Sequence, residues 1–178
     1  MNSKIVLYKG RRGAGKTLTM VKDGLSYYLD DVKVYRNFYC SFGEYIDNED
    51  ILKLDKKSTL NNCVIMIDEI QIFFDSRRSM AKANVLFSNF IQQVRKRNIT
   101  ILCTTQFTNT IDLRLRDHVD IMVSPRYINY YDYDLVEVYY RDITFADDEF
   151  MGGIIPTTII LYNPVPLFNL YNTEEMIK

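Results

Sequence analysis

Gly10-Arg11-Arg12-Gly13-Ala14-Gly15-Lys16-Thr17 fits the pattern G-x-x-x-x-G-K-[ST] at every fixed position. Three of the chain's seven glycines stand in this short run. The chemistry accounts for the concentration, because backbone N–H groups can wrap a phosphate closely only where side chains do not obstruct them. The run also has the flanks that the motif needs. Lys4 to Tyr8 is an apolar stretch that reads as a buried strand, and from Gly15 to Leu29 the residues Leu18, Val21, Leu25 and Leu29 recur near the helical period. Residues Gly10, Arg11, Arg12, Gly13, Ala14, Gly15, Lys16, Thr17 and Leu18 are therefore expected to cradle a nucleotide at a helix N-terminus. Lys16 is expected to reach the β- and γ-phosphates, and the Thr17 hydroxyl to ligate Mg²⁺.

A second element supports hydrolysis over simple binding. Val64-Ile65-Met66-Ile67 is a continuous apolar run, from Cys63 onward the mark of a central parallel strand, and it ends in Asp68-Glu69. A carboxylate at the tip of a buried strand beside such a loop can hold the metal, the role expected of Asp68. Glu69, one residue on, is placed to act as general base on a water. The next apolar strand, Ile99 to Thr104, runs into Thr105-Gln106, so Gln106 is a candidate sensor of the γ-phosphate or of the attacking water.

The rest of the chain reads as alternating elements. Val32 to Tyr39 is an expected strand, and Ser41 to Asn62 a loop with a short helix. Gln71 to Met80 reads as a loop, Asn84 to Arg97 as an amphipathic helix, and Asp112 to Asp117 as a short helix or turn. Val119 to Val123 is a further strand, and Tyr127 to Tyr131 with Leu135 to Arg141 a hairpin turning at Asp132-Tyr133-Asp134. The tail, with Pro156, Pro164 and Pro166, reads as extended cover. This pattern predicts an α/β fold: a RecA-like P-loop NTPase core with a mainly parallel central sheet flanked by helices, plus a C-terminal β-hairpin and tail. One domain over residues 1–178 is expected, its core about 4–124 and the hairpin and tail about 125–178. The RecA-like assignment is by analogy with proteins that carry an extra strand between the P-loop strand and the Asp-Glu strand.

Composition agrees with a globular fold, at 47% hydrophobic and 25% charged in 178 residues. A net charge of -1 gives no global attraction to nucleic acid, so such binding must come from local clusters or a ring of subunits. Cys40, Cys63 and Cys103 form no CxxC pair, which argues against zinc and a disulfide framework. No segment reads as a leader peptide or a transmembrane helix. Three basic clusters stand out. Arg95 and Arg97 close a helix, either as cations favourable at its C-terminus or as an arginine finger for a neighbouring subunit. Arg77 and Arg78, with Lys82, form either a solvated loop or a contact to a nucleic-acid backbone. Arg114 and Arg116 are a weaker set.

Four stretches together resemble a known family: Asp68-Glu69-Ile70-Gln71-Ile72-Phe73-Phe74-Asp75-Ser76-Arg77, Arg95-Lys96-Arg97, Ile101 to Gln106, and Leu113-Arg114-Leu115-Arg116. They are similar to the core of the Zot-like ATPases, within the FtsK/HerA superfamily of DNA-pumping motors, which includes viral genome-packaging ATPases. The resemblance covers roughly residues 4 to 124, and Tyr171-Asn172-Thr173-Glu174-Glu175 resembles a tail segment of such proteins. It implies ATP and Mg²⁺ as ligands, Gln106 as sensor and Arg95 or Arg97 acting in trans. It further implies a homo-oligomeric ring, double-stranded DNA and a capsid or portal/membrane protein as partners, and a place in the host cytoplasm or on the virion. Zot proteins of filamentous phages usually carry a transmembrane segment and a further domain. Neither is read here, which favours a packaging motor. Two other readings stay open: an NTP-dependent virion or filament assembly factor that does not act on DNA, and a nucleoside kinase, which the stretch from Ile67 to Phe74 resembles.

Overall fold

A computed structural model describes residues 3–52, 60–74, 89–106, 113–143 and 158–172. Among these, the strands are β1 (Ile5–Lys9), β2 (Lys33–Arg36), β3 (Glu44–Tyr45), β4 (Cys63–Ile67), β5 (Thr100–Thr105), β6 (Ile121–Asn129), β7 (Asp134–Asp142) and β8 (Thr158–Tyr162). The helices are α1 (Lys16–Leu29), α2 (Asn48–Leu52), α3 (described over 89–96) and α4 (Leu113–Arg116), with 3-10 turns at Ile70–Phe74 and Val165–Leu170. The strands form one sheet in the order β3-β2-β4-β5-β1-β6-β7-β8. All pairings from β3 to β6 are parallel, and β7 and β8 add on antiparallel.

Side-chain alternation decides the layering. On β1, Ile5 and Leu7 enter one core cluster while Val6 and Tyr8 enter the other. β4 divides likewise, with Cys63, Ile65 and Ile67 on one face and Val64 and Met66 on the other. Leu18, Met20 and Val21 of α1 pack on the second face, and Phe90, Ile91 and Val94 of α3 on the first. Both faces of the central strands are thereby covered, which is why they read as continuous apolar runs and not as alternating ones.

Three expectations change. The strand expected over Val32–Tyr39 ends at Arg36, because Asn37 turns its side chain onto the end of β4. The stretch Ser41–Asn62 contains a short parallel strand, β3, pairing Tyr35 with Glu44. Its approach is tight: Gly43 has φ 76°, and a Cβ there would lie 2.9 Å from the Val34 carbonyl oxygen. Finally, the strands expected at Val119–Val123 and Tyr127–Tyr131 are one strand, β6, running through Pro125. The β1 ladder stops at Val123, so beyond that point this edge of β6 is open and a missing N–H there costs no ladder bond. The hairpin turn closes with Tyr130 N–H donating to the Tyr133 carbonyl at 2.9 Å. The rings of Tyr130 and Tyr133 stack at 4.7 Å.

The tail covers α1. Tyr162 of β8 meets the Thr19 hydroxyl at 3.1 Å, and Tyr140 of β7 donates to Asp23 at 3.0 Å. Ser41 N–H donates to the Leu170 carbonyl at 2.7 Å. Among the described residues, no helix is long and apolar enough to cross a membrane.

Candidate functional site

β1, β5 and β4 lie side by side and end together, Lys9 paired with Thr105 and Cys103 with Ile67. The P-loop, Gln106 and Asp68-Glu69 consequently leave the sheet along one edge. A crevice outside the carboxyl ends of parallel strands is where ligands bind in folds of this kind.

The loop is built for an anion. Gly13 and Gly15 adopt left-handed φ values of 78° and 88°, open to glycine without strain. Helix α1 starts with no side-chain cap and no acidic residue in its first turn. Its first N–H groups and positive dipole end are left for a ligand. Lys16 is only 7% exposed, and its Nζ donates to the Arg11 carbonyl oxygen at 3.2 Å. Burial lowers its pKa, with Glu69 and Asp68 pulling it partly back.

Asp68 is the hub of the opposite wall. Its Oδ1 accepts from the Thr17 hydroxyl at 3.0 Å and from the Thr104 hydroxyl at 2.5 Å. Burial raises its pKa, while the Thr104 and Thr17 hydroxyls act in the other direction. Asn37, 4% exposed, holds the same residue by its backbone. Its Oδ1 accepts from Asp68 N–H at 2.8 Å, and its Nδ2 donates to the Asp68 carbonyl at 3.3 Å and to Asn48 Oδ1 at 3.0 Å.

Glu69 stands at φ 56°, a conformation that costs of order 1–3 kcal/mol for a non-glycine residue and persists where its surroundings impose it. Glu69 N–H donates to Thr104 Oγ1 at 2.9 Å, Gln106 Nε2 donates to Glu69 Oε1 at 3.2 Å, and Gln71 Nε2 donates to Glu69 Oε2. Gln71 Oε1 is buried beside them with no partner among the described residues.

Between the outer face of the P-loop, Gln106 and β6 lies a cavity of about 640 Å³, within the usual range for a small-molecule site. Lys9, Arg11, Arg12 and Arg126 line it, and among the described residues no Asp or Glu does. The chain is near neutral, yet this cavity is cationic, the local potential that attracts a polyphosphate.

The structure brings Lys16, Thr17, Asp68, Glu69 and Gln106 together at one sheet edge. Leu18 differs: its side chain is in the core, leaving only its backbone toward the loop. Arg95 and Arg97 precede β5 and so lie at the opposite end of the sheet, a strand of this length away, roughly 17–20 Å. Arg95 pairs with Asp120 at 3.5 Å, and Arg97 donates to Gln93 Oε1 at 3.2 Å. Arg77, Arg78 and Lys82 lie outside the described residues, as does the Arg114 side chain. Sequence reasoning missed Asn37, Thr104 and Gln71. Only Thr104 had a visible signal, as a hydroxyl residue near the carboxyl end of an expected strand.

Thr104→Val isolates that hydroxyl. It removes a charge-assisted bond and strands the Glu69 N–H, together about 1–3 kcal/mol. A thermal midpoint lower by roughly 2–10 °C is expected, with nucleotide turnover falling more than nucleotide affinity. A variant matching the parent in both midpoint and turnover would show that Thr104 does not hold the Asp68–Glu69 pair.

These features define a P-loop NTPase fold of the RecA-like class, with the Gln106 strand set between the P-loop strand and the Asp-Glu strand. Within this chain, residues 45–128 match the family described as zonular occludens toxin (Zot). That stretch contains Asp68, Glu69 and Gln106 but not the P-loop, which stands on its own sequence. The N-terminal domain of zonular occludens toxin from Neisseria meningitidis superposes with a TM-score of 0.65 at 20% identity, covering 97% of this chain and 100% of that one. The genome packaging NTPase B204 from Sulfolobus turreted icosahedral virus 2, solved with ATP-gammaS, gives 0.59 at 13% identity over 93% of this chain and 100% of that one. The flagellar accessory protein FlaH from Methanocaldococcus jannaschii gives 0.58 at 11% identity, over 90% and 84%. At these identities the likenesses establish the fold. No curated protein sequence matches the chain.

Proposed function

We propose that this chain is a Mg²⁺-dependent ATPase that uses hydrolysis to translocate double-stranded DNA, packaging a viral genome into a preformed capsid. The observation that supports it most is the meeting of a complete P-loop with Asp68, Glu69 and Gln106 at one sheet edge beside a cationic cavity. Lys16 leaves the Arg11 carbonyl to reach the phosphates. Thr17 and Asp68 are hard oxygen donors already in contact, the ligand type Mg²⁺ takes, and would hold that ion, which offsets phosphate charge when bound. Glu69 accepts the proton of a water attacking the γ-phosphorus, releasing ADP and phosphate. Gln106 and the unpartnered Gln71 Oε1 orient that water.

The motor part of the reading draws on the likeness to a packaging NTPase and on the family resemblance. In a ring, Arg95 or Arg97 acts at a neighbour's site. The half-exposed Arg95–Asp120 pair is no obstacle, being worth about 1 kcal/mol at most. A capsid or portal protein, and a place in the host cytoplasm or on the virion, follow from the same reading.

ATP turnover with and without linear duplex DNA, across a salt series, tests it. Stimulation that fades as salt rises is expected. Turnover indifferent to DNA at every salt concentration would overturn translocation and leave the ATPase. The Zot-family match and the near-neutral charge favour the second reading, an NTP-dependent virion or filament assembly factor. Its signature is turnover stimulated by a coat or membrane protein and not by DNA.

A further inference from the structure

The cavity beside the P-loop has two unlike walls. One is the glycine loop with Arg11 and Arg12, suited to phosphates. The other is β6, whose Ser124, Pro125, Arg126 and Tyr127 reach the cavity. This second wall is flush with the loop at both its ends. A Cβ on Gly10 would lie 3.9 Å from the Pro125 carbonyl oxygen, and one on Gly15 would lie 3.9 Å from Tyr127 Cβ. Pro125 and Tyr127 are two apart on the strand and share a face, the face that carries the α1 side of the core. They present a pyrrolidine ring and an aromatic ring beside a cationic loop.

Tyr127 is also held in place. Burial, and then the nearby Asp134 carboxylate, raise the pKa of its hydroxyl. Asp134 is fixed in turn by Asn129 Nδ2 at 2.5 Å. A core tyrosine needs packing alone. This one packs against the core and still lines the cavity. A ring held this way loses little freedom when a flat ligand settles on it.

We infer that Tyr127, with Pro125, seats the base of the nucleotide whose phosphates the loop holds. The ligand class is a nucleoside triphosphate recognised by its base face as well as its phosphates. Stacking on a ring accepts any base face, so the seat contributes affinity more than choice among bases. The inference rests on the nucleotide reading of the cavity, and the experiment separates the two.

Calorimetric titration of the full chain with ATP and with inorganic triphosphate, for the parent, Tyr127→Phe and Tyr127→Ala, provides the test. Tyr127→Ala is expected to bind ATP roughly tenfold more weakly, the weight of one aromatic face under a base, with inorganic triphosphate unaffected. Tyr127→Phe, which keeps the ring, is expected to retain most of the ATP affinity. ATP binding by Tyr127→Ala within twofold of the parent would overturn the base seat while leaving the phosphate site standing. Equal loss for ATP and inorganic triphosphate would also overturn it, because the ring would then be acting on the loop. A parent that binds neither ligand would overturn the nucleotide reading together with the inference.

Discussion

Glu69→Gln is expected to lower ATP turnover by about 10²–10⁴-fold, the usual weight of a positioned general base, while ATP stays bound. The amide keeps the shape of the side chain and one acceptor for the Gln106 and Gln71 donors that hold it. What it loses is the capacity to take a proton from water. The left-handed backbone at position 69 is imposed by Thr104 Oγ1 on the Glu69 N–H, a contact the substitution does not touch, so the fold should survive. Phosphate release and retention of labelled ATP on a filter, measured on one preparation, separate the two effects. Hydrolysis at the parental rate would remove Glu69 from the chemistry.

Lys16→Ala is expected to act earlier, on binding. The amine is the buried cation of the loop, and truncating one partner of a buried charge contact costs about 2–5 kcal/mol, between thirtyfold and several thousandfold in affinity. Stability should move the other way or not at all. Burial already disfavours the charged amine, as its lowered pKa indicates, and its protein partner is a single carbonyl. Titration with ATP alongside a thermal melt checks both. Affinity within threefold of the parent would mean that the loop does not hold the phosphates.

The parts of the site legible in the sequence are those whose chemistry is contiguous. The P-loop announces itself because its glycines, lysine and threonine must be adjacent. Asp68-Glu69 and Gln106 are legible because a polar group ending an apolar strand has one place to go, the sheet edge. Asn37 was not legible, since its meaning lies in a backbone 31 residues away. Thr104 was seen only as part of a strand end, because a hydroxyl does not reveal which carboxylate it will meet.

The layered α/β fold was readable from buried runs of parallel-strand character, and its errors have local causes. Val119–Val123 and Tyr127–Tyr131 were expected as separate strands, yet Pro125 between them falls where β6 has lost its β1 neighbour and a missing donor costs nothing. β3 was invisible because a two-residue strand carries no periodicity. For Arg95, the pairing with Asp120 matches a structural role at a helix end, and a part in hydrolysis needs a second subunit.

Phosphate release from Mg-ATP by the purified chain, set against the Glu69→Gln variant, tests the central claim most directly. Steady turnover by the parent and background from the variant are the expected result. No release above that background, with or without duplex DNA and at any salt concentration, would contradict it.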